Sequence, residues 1–186
     1  KNIIGLTTNK IYARNCVVQP IDRKLAKDFI DANHIQGYHG CSISYGLFNN
    51  DNLVSVMTFT SSNITRKLKN TWEISRFCSL LNTNVAGAAG KLFSRFVKDE
   101  QPDLVVSYAD TRWSDGNLYK QLGFTFEYQT PCNYWYVDKK NTKRIHRFNL
   151  RKRSDEPKDM TEFELRMEQG YLKIYDYGSS KWVCKL

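Results

Sequence analysis

Four side chains and one short loop in this sequence have the types and positions that chemistry needs. Arg76 stands in Trp72-Glu73-Ile74-Ser75-Arg76-Phe77-Cys78-Ser79-Leu80, where apolar and polar residues alternate as in a half-buried strand. A guanidinium there is costly to desolvate, so it pairs with an acid such as Glu73 or Asp110, or it meets an anionic ligand. Asp110 ends Ser107-Tyr108-Ala109-Asp110, and ligands of open α/β sheets gather at the carboxyl ends of strands. It can act as a base, orient one, or cap the turn at Thr111-Arg112. His34 follows the first predicted helix, either as a proton acceptor near neutral pH or as a helix-end histidine facing the dipole. Tyr119 carries a phenol that holds its proton at neutral pH and can share it; its other use is packing on the sheet. The loop Asn84-Val85-Ala86-Gly87-Ala88-Ala89 leads into a helix. Its small residues let a ligand approach the backbone, and a helix N-terminus favours a phosphate or pyrophosphate.

The elements that must position these groups can be read outward from that loop. Alternation in residues 72–80 falters at Arg76-Phe77, which predicts a bulge. Leu92, Phe93, Phe96 and Val97 mark one face of the helix after the loop. Leu104, Val105 and Val106 open a short buried strand. Ser114-Asp115-Gly116-Asn117 is a helix start, Gly123 is a helix stop, and residues 124–128 return as a strand. Upstream, residues 16–21 read as a strand. Asp22 then caps a helix with Leu25, Ala26, Phe29 and Ile30 on its apolar face. Residues 42–48 and 53–60 form a hairpin across Asn49-Asn50-Asp51-Asn52. Residues 61–70 are a polar loop with Arg66, Lys67 and Lys69. Downstream, residues 133–137 are expected to pair with 124–128. Residues 158–169 read as a helix with Phe163 and Met167 on one face, and 171–177 and 181–184 as short strands around Gly178.

The chain has 186 residues, 41% of them hydrophobic, and a net charge of +9 from 28 basic and 19 acidic residues. That length suits one domain with appendages, and the charge favours a polyanionic partner, nucleic acid first. The divisions expected are residues 1–15 as a lead-in or linker from an upstream domain, 16–138 as the main domain, and 139–186 as a basic segment and extension. Residues 139–153 hold eight Lys or Arg, one His and no acid. Lys143, Arg144, Arg147, Arg151, Lys152 and Arg153, with Tyr134, Trp135, Tyr136 and Phe148 nearby, have the makeup of a nucleic-acid surface; a solvated basic connector is the alternative. His146 fits a phosphate contact. Five cysteines, odd in number and without a Cys-x-x-Cys pair, suit buried free thiols in a reducing compartment, and no metal site is expected. No apolar run reaches transmembrane length and no signal peptide heads the chain, so a cytoplasmic protein is expected.

The order of strand, Asn84-x-x-Gly87-x-Ala89 loop, helix, strand, then Asn117-Leu118-Tyr119-Lys120-Gln121-Leu122-Gly123-Phe124 resembles the acyl-CoA-binding half of the GNAT acyltransferases. Asn84 stands where that family has Gln or Arg. Ser75-Arg76-Phe77, Ser107-Tyr108-Ala109-Asp110 and Gly116-Asn117-Leu118-Tyr119 are similar to the phage Mom proteins, which modify adenine in phage DNA, and to related domains of phage homing-endonuclease-like proteins. The resemblance implies an α/β fold: a mixed, mostly antiparallel sheet splayed near its middle, with helices on both faces. It implies acetyl-CoA or another acyl-CoA as cofactor, held by the 84–89 loop and Asn117, with Tyr119 near the cofactor sulfur as a proton donor to the leaving thiolate. It also implies an essential Arg76, with Asp110 or His34 taking a proton and DNA as partner. The function expected is transfer to a nucleobase in DNA; the alternative is a DNA-binding module that has lost catalysis.

Overall fold

The computed structural model describes residues 7–61, 70–140 and 143–186; the loop cations Arg66, Lys67 and Lys69 lie outside them. In chain order the elements are β1 (Asn9–Tyr12), β2 (Val17–Pro20), α1 (Arg23–Asn33), β3 (Ile43–Asn49), β4 (Asn52–Ser61), β5 (Thr71–Ser79), β6 (Thr83–Ala86), α2 (Ala88–Glu100), β7 (Leu104–Asp110) and α3 (Asn117–Gln121). They continue with β8 (Thr125–Gln129), β9 (Tyr134–Asp138), β10 (Arg144–His146), α4 (Glu162–Glu168), β11 (Tyr171–Tyr175) and β12 (Ser179–Lys185). Two compact units result. One comprises Lys1–Ala109, Asp115–Tyr128 and Lys181–Leu186; the other comprises Asp110–Ser114 and Gln129–Ser180. The segment from residue 139 onward is therefore divided between them.

The first unit is built on a seven-stranded sheet in the order β2-β3-β4-β5-β7-β12-β8. Pairing is antiparallel from β2 through β5, and β5 meets β7 in parallel. Both faces are covered. Leu92, Phe93 and Phe96 of α2 pack with Tyr45, Leu47, Met57, Phe59 and Ile74 on one face, with Phe59 and Phe96 stacked at 3.6 Å between centroids. Ala26, Phe29 and Ile30 of α1 pack with Val56 and Cys78 on the other. Asp22 caps α1 through the Leu25 N–H at 2.8 Å.

Two departures from regular pairing shape the middle of the sheet. Thr58 faces Arg76 while Phe59 faces Ile74, so Ser75 is an extra residue in β5. This bulge lies one residue before the predicted place, and it reverses the alternation. Ile74 points to the α2 face, Phe77 packs against that same core, and Cys78 joins the α1 face. Arg76 is thereby turned toward the α1 side. The second departure is that β5 and β7 pair only where Thr71, Trp72 and Glu73 oppose Leu104, Val105 and Val106.

Three expectations change. Residues 133–137 do not pair with 124–128: β8 pairs with β12, and β9 lies between β10 and β11 in a separate three-stranded sheet. Cross-strand contacts select β12, since Phe126 meets the Trp182 ring at 5.7 Å and Lys181 reaches Glu127 at 2.5 Å. The helix expected from 158 starts at Glu162, because Thr161 and Glu164 form a capping box. Its buried face is Leu165 and Arg166, with Phe163 exposed. Finally, the lead-in contributes β1, which pairs in parallel with β6, and the Lys91 Nζ donates to the Ala13 and Cys16 carbonyls at 2.9 and 2.5 Å.

Candidate functional site

The predicted anion loop opens as a cleft of about 460 Å³, lined by Asn84, Val85, Ala86, Gly87, Ala88, Ala89 and Gly90, by Phe77 and Ser79 of β5, and by Leu118, Gln121 and Leu122 of α3 and its end. Asn84, Val85 and Ala86 belong to β6, so half of the expected loop is strand. Gly87 caps α2 with φ +81°, a left-handed conformation that carries the chain from β6 into the helix. The first N–H groups of a 13-residue helix thus face a cleft whose floor has no side chain larger than a methyl from Ala86 to Gly90. A β-carbon at Gly90 would meet nothing within 4 Å. Asn117 is exposed at the start of α3, donates its N–H to Asp115 Oδ1 at 3.0 Å, and does not line the cleft.

Arg76, Tyr119 and His34 interact electrostatically, and Glu73 and Ser107 join them. The Arg76 Nε donates to the Gly37 carbonyl at 2.9 Å and Nη1 to the Ser75 carbonyl at 2.7 Å. Burial lowers its pKa while Glu73 and Tyr119 raise it. Gly116, the residue before α3, sits under the Trp182 ring, where a β-carbon would come within 2.1 Å of a ring atom. That approach sets α3 against β12, and Tyr119 packs on Trp182 and Phe124. Burial pushes the Tyr119 phenol up; the Ser107 hydroxyl and the Arg76 charge pull it down, and Glu73 raises it. Ser107 itself donates to the Ile74 carbonyl at 3.3 Å. The sequence offers Glu73 only as a partner for Arg76, and Ser107 only at the head of the Ser107-Tyr108-Ala109-Asp110 motif, with no role of its own. In the fold Ser107 follows Val106, the last β7 residue paired with β5.

His34 caps the C-terminus of α1, and its Nδ1 accepts the Gln36 N–H at 3.1 Å. The neutral ring therefore carries its proton on Nε2 and presents a donor. Burial and the Arg76 charge lower its pKa to about 4. Between that value and the usual 6.5, the unfolded chain binds more protons than the folded one. Stability should therefore be fully present above pH 6.5 and decline as pH falls toward 4. Substituting His34→Gln is predicted to flatten the change in urea midpoint between pH 7 and pH 5. A slope equal to that of the unsubstituted protein would show that His34 titrates as a solvated residue.

Asp110 belongs to the second unit, where its carboxylate grips Arg112 through Nε at 3.0 Å and Nη2 at 2.6 Å and accepts the Arg112 N–H at 3.1 Å. This is the turn-capping use. The same unit carries the predicted nucleic-acid residues. Lys143, Arg144, Arg151 and Arg153 are exposed; Arg147 and Lys152 are half-buried. The Lys152 ammonium is engaged by the Met160 carbonyl. Arg166, which sequence reasoning did not single out, organises the segment from its buried position: it pairs with Glu156 and donates to the Leu150 and Arg151 carbonyls at 2.8 and 3.2 Å. The Arg166 hydrogen bonds hold the Glu156 carboxyl at about 2. Among the described residues no cluster of His, Cys, Asp or Glu could hold a metal ion, and no helix is long and apolar enough to cross a membrane.

A mixed, mostly antiparallel sheet flanked by helices is the fold of the GNAT acetyltransferases. The ribosomal-protein-S18-alanine N-acetyltransferase of Escherichia coli is similar with a TM-score of 0.54 at 7% identity, over 91% of this chain and 93% of that one. The yncA protein of Salmonella typhimurium, solved with its cofactor acetyl-CoA, gives 0.56 at 12% over 92% and 94%. An acetyltransferase of Bacillus subtilis in complex with CoA gives 0.52 at 12% over 92% and 98%. None of the curated proteins matches the sequence. The model of the Mom protein family matches residues 15–177, and the chain belongs to that family.

Proposed function

We propose that this protein is a transferase that modifies a nucleobase in DNA with an acyl group from acyl-CoA or a related donor. The cleft at the start of α2 carries the reading. Its volume, its free helix N–H groups and its glycine and alanine floor fit a pyrophosphate, and two proteins of the same fold are solved with CoA or acetyl-CoA. In this reading the backbone from Gly87 to Gly90 holds the pyrophosphate. Phe77, Ser79, Leu118 and Gln121 form the walls that exclude water. Bound acyl-CoA supplies an activated acyl group. Tyr119 Oη keeps the proton that a departing thiolate needs, and Ser107 can turn its O–H from the Ile74 carbonyl to the phenolate that remains. Glu73 is the carboxylate beside Arg76 and Tyr119 and takes the proton-accepting part that the sequence offered to Asp110 or His34. Arg76 steadies negative charge in that cluster, and the cations of the second unit contact DNA phosphates.

The second reading, a DNA-binding module without catalysis, is favoured by the Arg76 guanidinium already being held by two backbone carbonyls. Calorimetry with acetyl-CoA separates the two. Gly90→Val places a branched side chain in the cleft without the backbone strain that φ +81° would impose at Gly87. It is predicted to weaken acetyl-CoA binding about tenfold or more while the melting temperature holds. Absence of acetyl-CoA binding by the unsubstituted protein would leave the module.

A further inference from the structure

The second unit has a sheet face that the proposed transfer does not use. Its strands pair in register, His146 and Ile174 opposite Trp135, and Arg144 and Leu172 opposite Val137. One face therefore carries Trp135, Val137, Arg144, His146, Leu172 and Ile174, with no carboxylate among them. The opposite face is bound to α4, whose Glu162 accepts hydrogen bonds from Tyr134 and Tyr136 at 3.0 and 2.9 Å. Leu172 and Ile174 are 41% and 40% exposed, and Phe148, in the turn that follows β10, is 52% exposed. The rings and guanidiniums here form a continuous series. Arg144 lies over Trp135 at 4.4 Å, Trp135 meets the edge of His146 at 4.7 Å, His146 stacks on Phe148 at 5.1 Å and 8°, and Arg151 lies over Phe148 at 3.8 Å.

We infer that this face binds an unpaired stretch of DNA, with bases stacking on the Arg144–Trp135 and Arg151–Phe148 layers. The inference rests on the proposed function for its choice of DNA as ligand. The guanidinium carbons of Arg144 and Arg151 lie over their rings at 4.4 and 3.8 Å, and such a contact restrains the planar group. Its outer face is free to take a base, and its N–H edge can reach a phosphate. Bases in a duplex hide their faces against one another, so a stacking surface selects unpaired strands, while charge alone selects any polyanion. The apolar Leu172 and Ile174 beside the rings suit bases and not phosphates.

The test is binding of the full chain to three labelled ligands by fluorescence anisotropy: a short single-stranded DNA, the duplex of the same sequence, and a strand of equal length with abasic sites throughout. The single strand should bind tightest. Phe148→Ala should weaken it by about 5- to 100-fold, the usual worth of a stacked base, with the slope against log salt unchanged. The double variant Arg144→Lys, Arg151→Lys keeps the charge but lacks the planar faces, so it should weaken the same complex without altering the slope. Both arginines are exposed, so this variant keeps the test usable if Phe148→Ala fails to fold. Equal affinity for the abasic strand, preference for the duplex, or no effect of the lysine pair would overturn the inference and leave a salt-dependent DNA contact. Binding to none of the three would overturn both this inference and the DNA part of the proposed function.

Discussion

Tyr119→Phe is expected to lower base modification by about 10²–10⁴-fold, the usual worth of a positioned acid, while leaving the fold and DNA affinity almost unchanged. The expectation comes from where the hydroxyl sits. The ring packs on Phe124 and Trp182, and phenylalanine keeps that packing. Only the Oη is lost, and with it the influence by which the Ser107 hydroxyl lowers the phenol's pKa; loss of one such hydroxyl interaction costs about 0.5–1.5 kcal/mol. Because burial, as the largest influence, raises the phenol's pKa above its ordinary 10, Tyr119 stays protonated across the working range. Loss of activity through its ionisation should therefore be absent below pH 10, whereas an activated phenolate would show an alkaline optimum. Nucleoside mass spectrometry of DNA from cells expressing the protein, beside thermal melts, reads both effects. A modified nucleoside undiminished by Tyr119→Phe would remove the phenol from the mechanism.

The parts of this site that were legible in the sequence are those set by neighbouring residues. The apolar spacing of Leu92, Phe93 and Phe96 gave the buried face of α2, and Asp22 marked the start of α1. The faltering pattern at Arg76 announced the bulge to within a residue. Partner choice between distant strands was not legible. Residues 133–137 and 124–128 are adjacent and both strand-like, yet β8 takes β12, some fifty residues later, because Trp182 and Lys181 match Phe126 and Glu127 across the pair. Buried charge was also hidden. Arg166 reads as the polar side of an amphipathic helix, and only its meeting with Glu156 and two carbonyls makes burial tolerable. The inward turn of Ser107 depends on where β5 and β7 stop pairing, and no local pattern states that.

Arg76→Gln should separate an anion-stabilising arginine from a structural clamp. Had Arg76 been locked in a buried ion pair, its removal would cost about 3–5 kcal/mol. Its guanidinium donates instead to the Gly37 and Ser75 carbonyls, so the expected loss is about 1–3 kcal/mol, within reach of a folded variant. Activity should fall further, about 10²–10³-fold, as when a positioned donor to developing negative charge is removed. A third readout ties the result to the site. The Arg76 charge helps hold His34 at about 4. Without it the His34 resonance, followed by NMR, should titrate at higher pH, toward 6.5, although burial, the larger influence, remains. An Arg76→Gln protein with normal base modification and a displaced His34 titration would mean that the guanidinium serves only to fasten the Gly37 turn to β5. Lost modification together with an unmoved His34 would place Arg76 outside the cluster of Glu73, His34 and Tyr119. Modification lost and titration raised, in a protein that still melts cooperatively, is the outcome that a catalytic arginine between Glu73, His34 and Tyr119 requires.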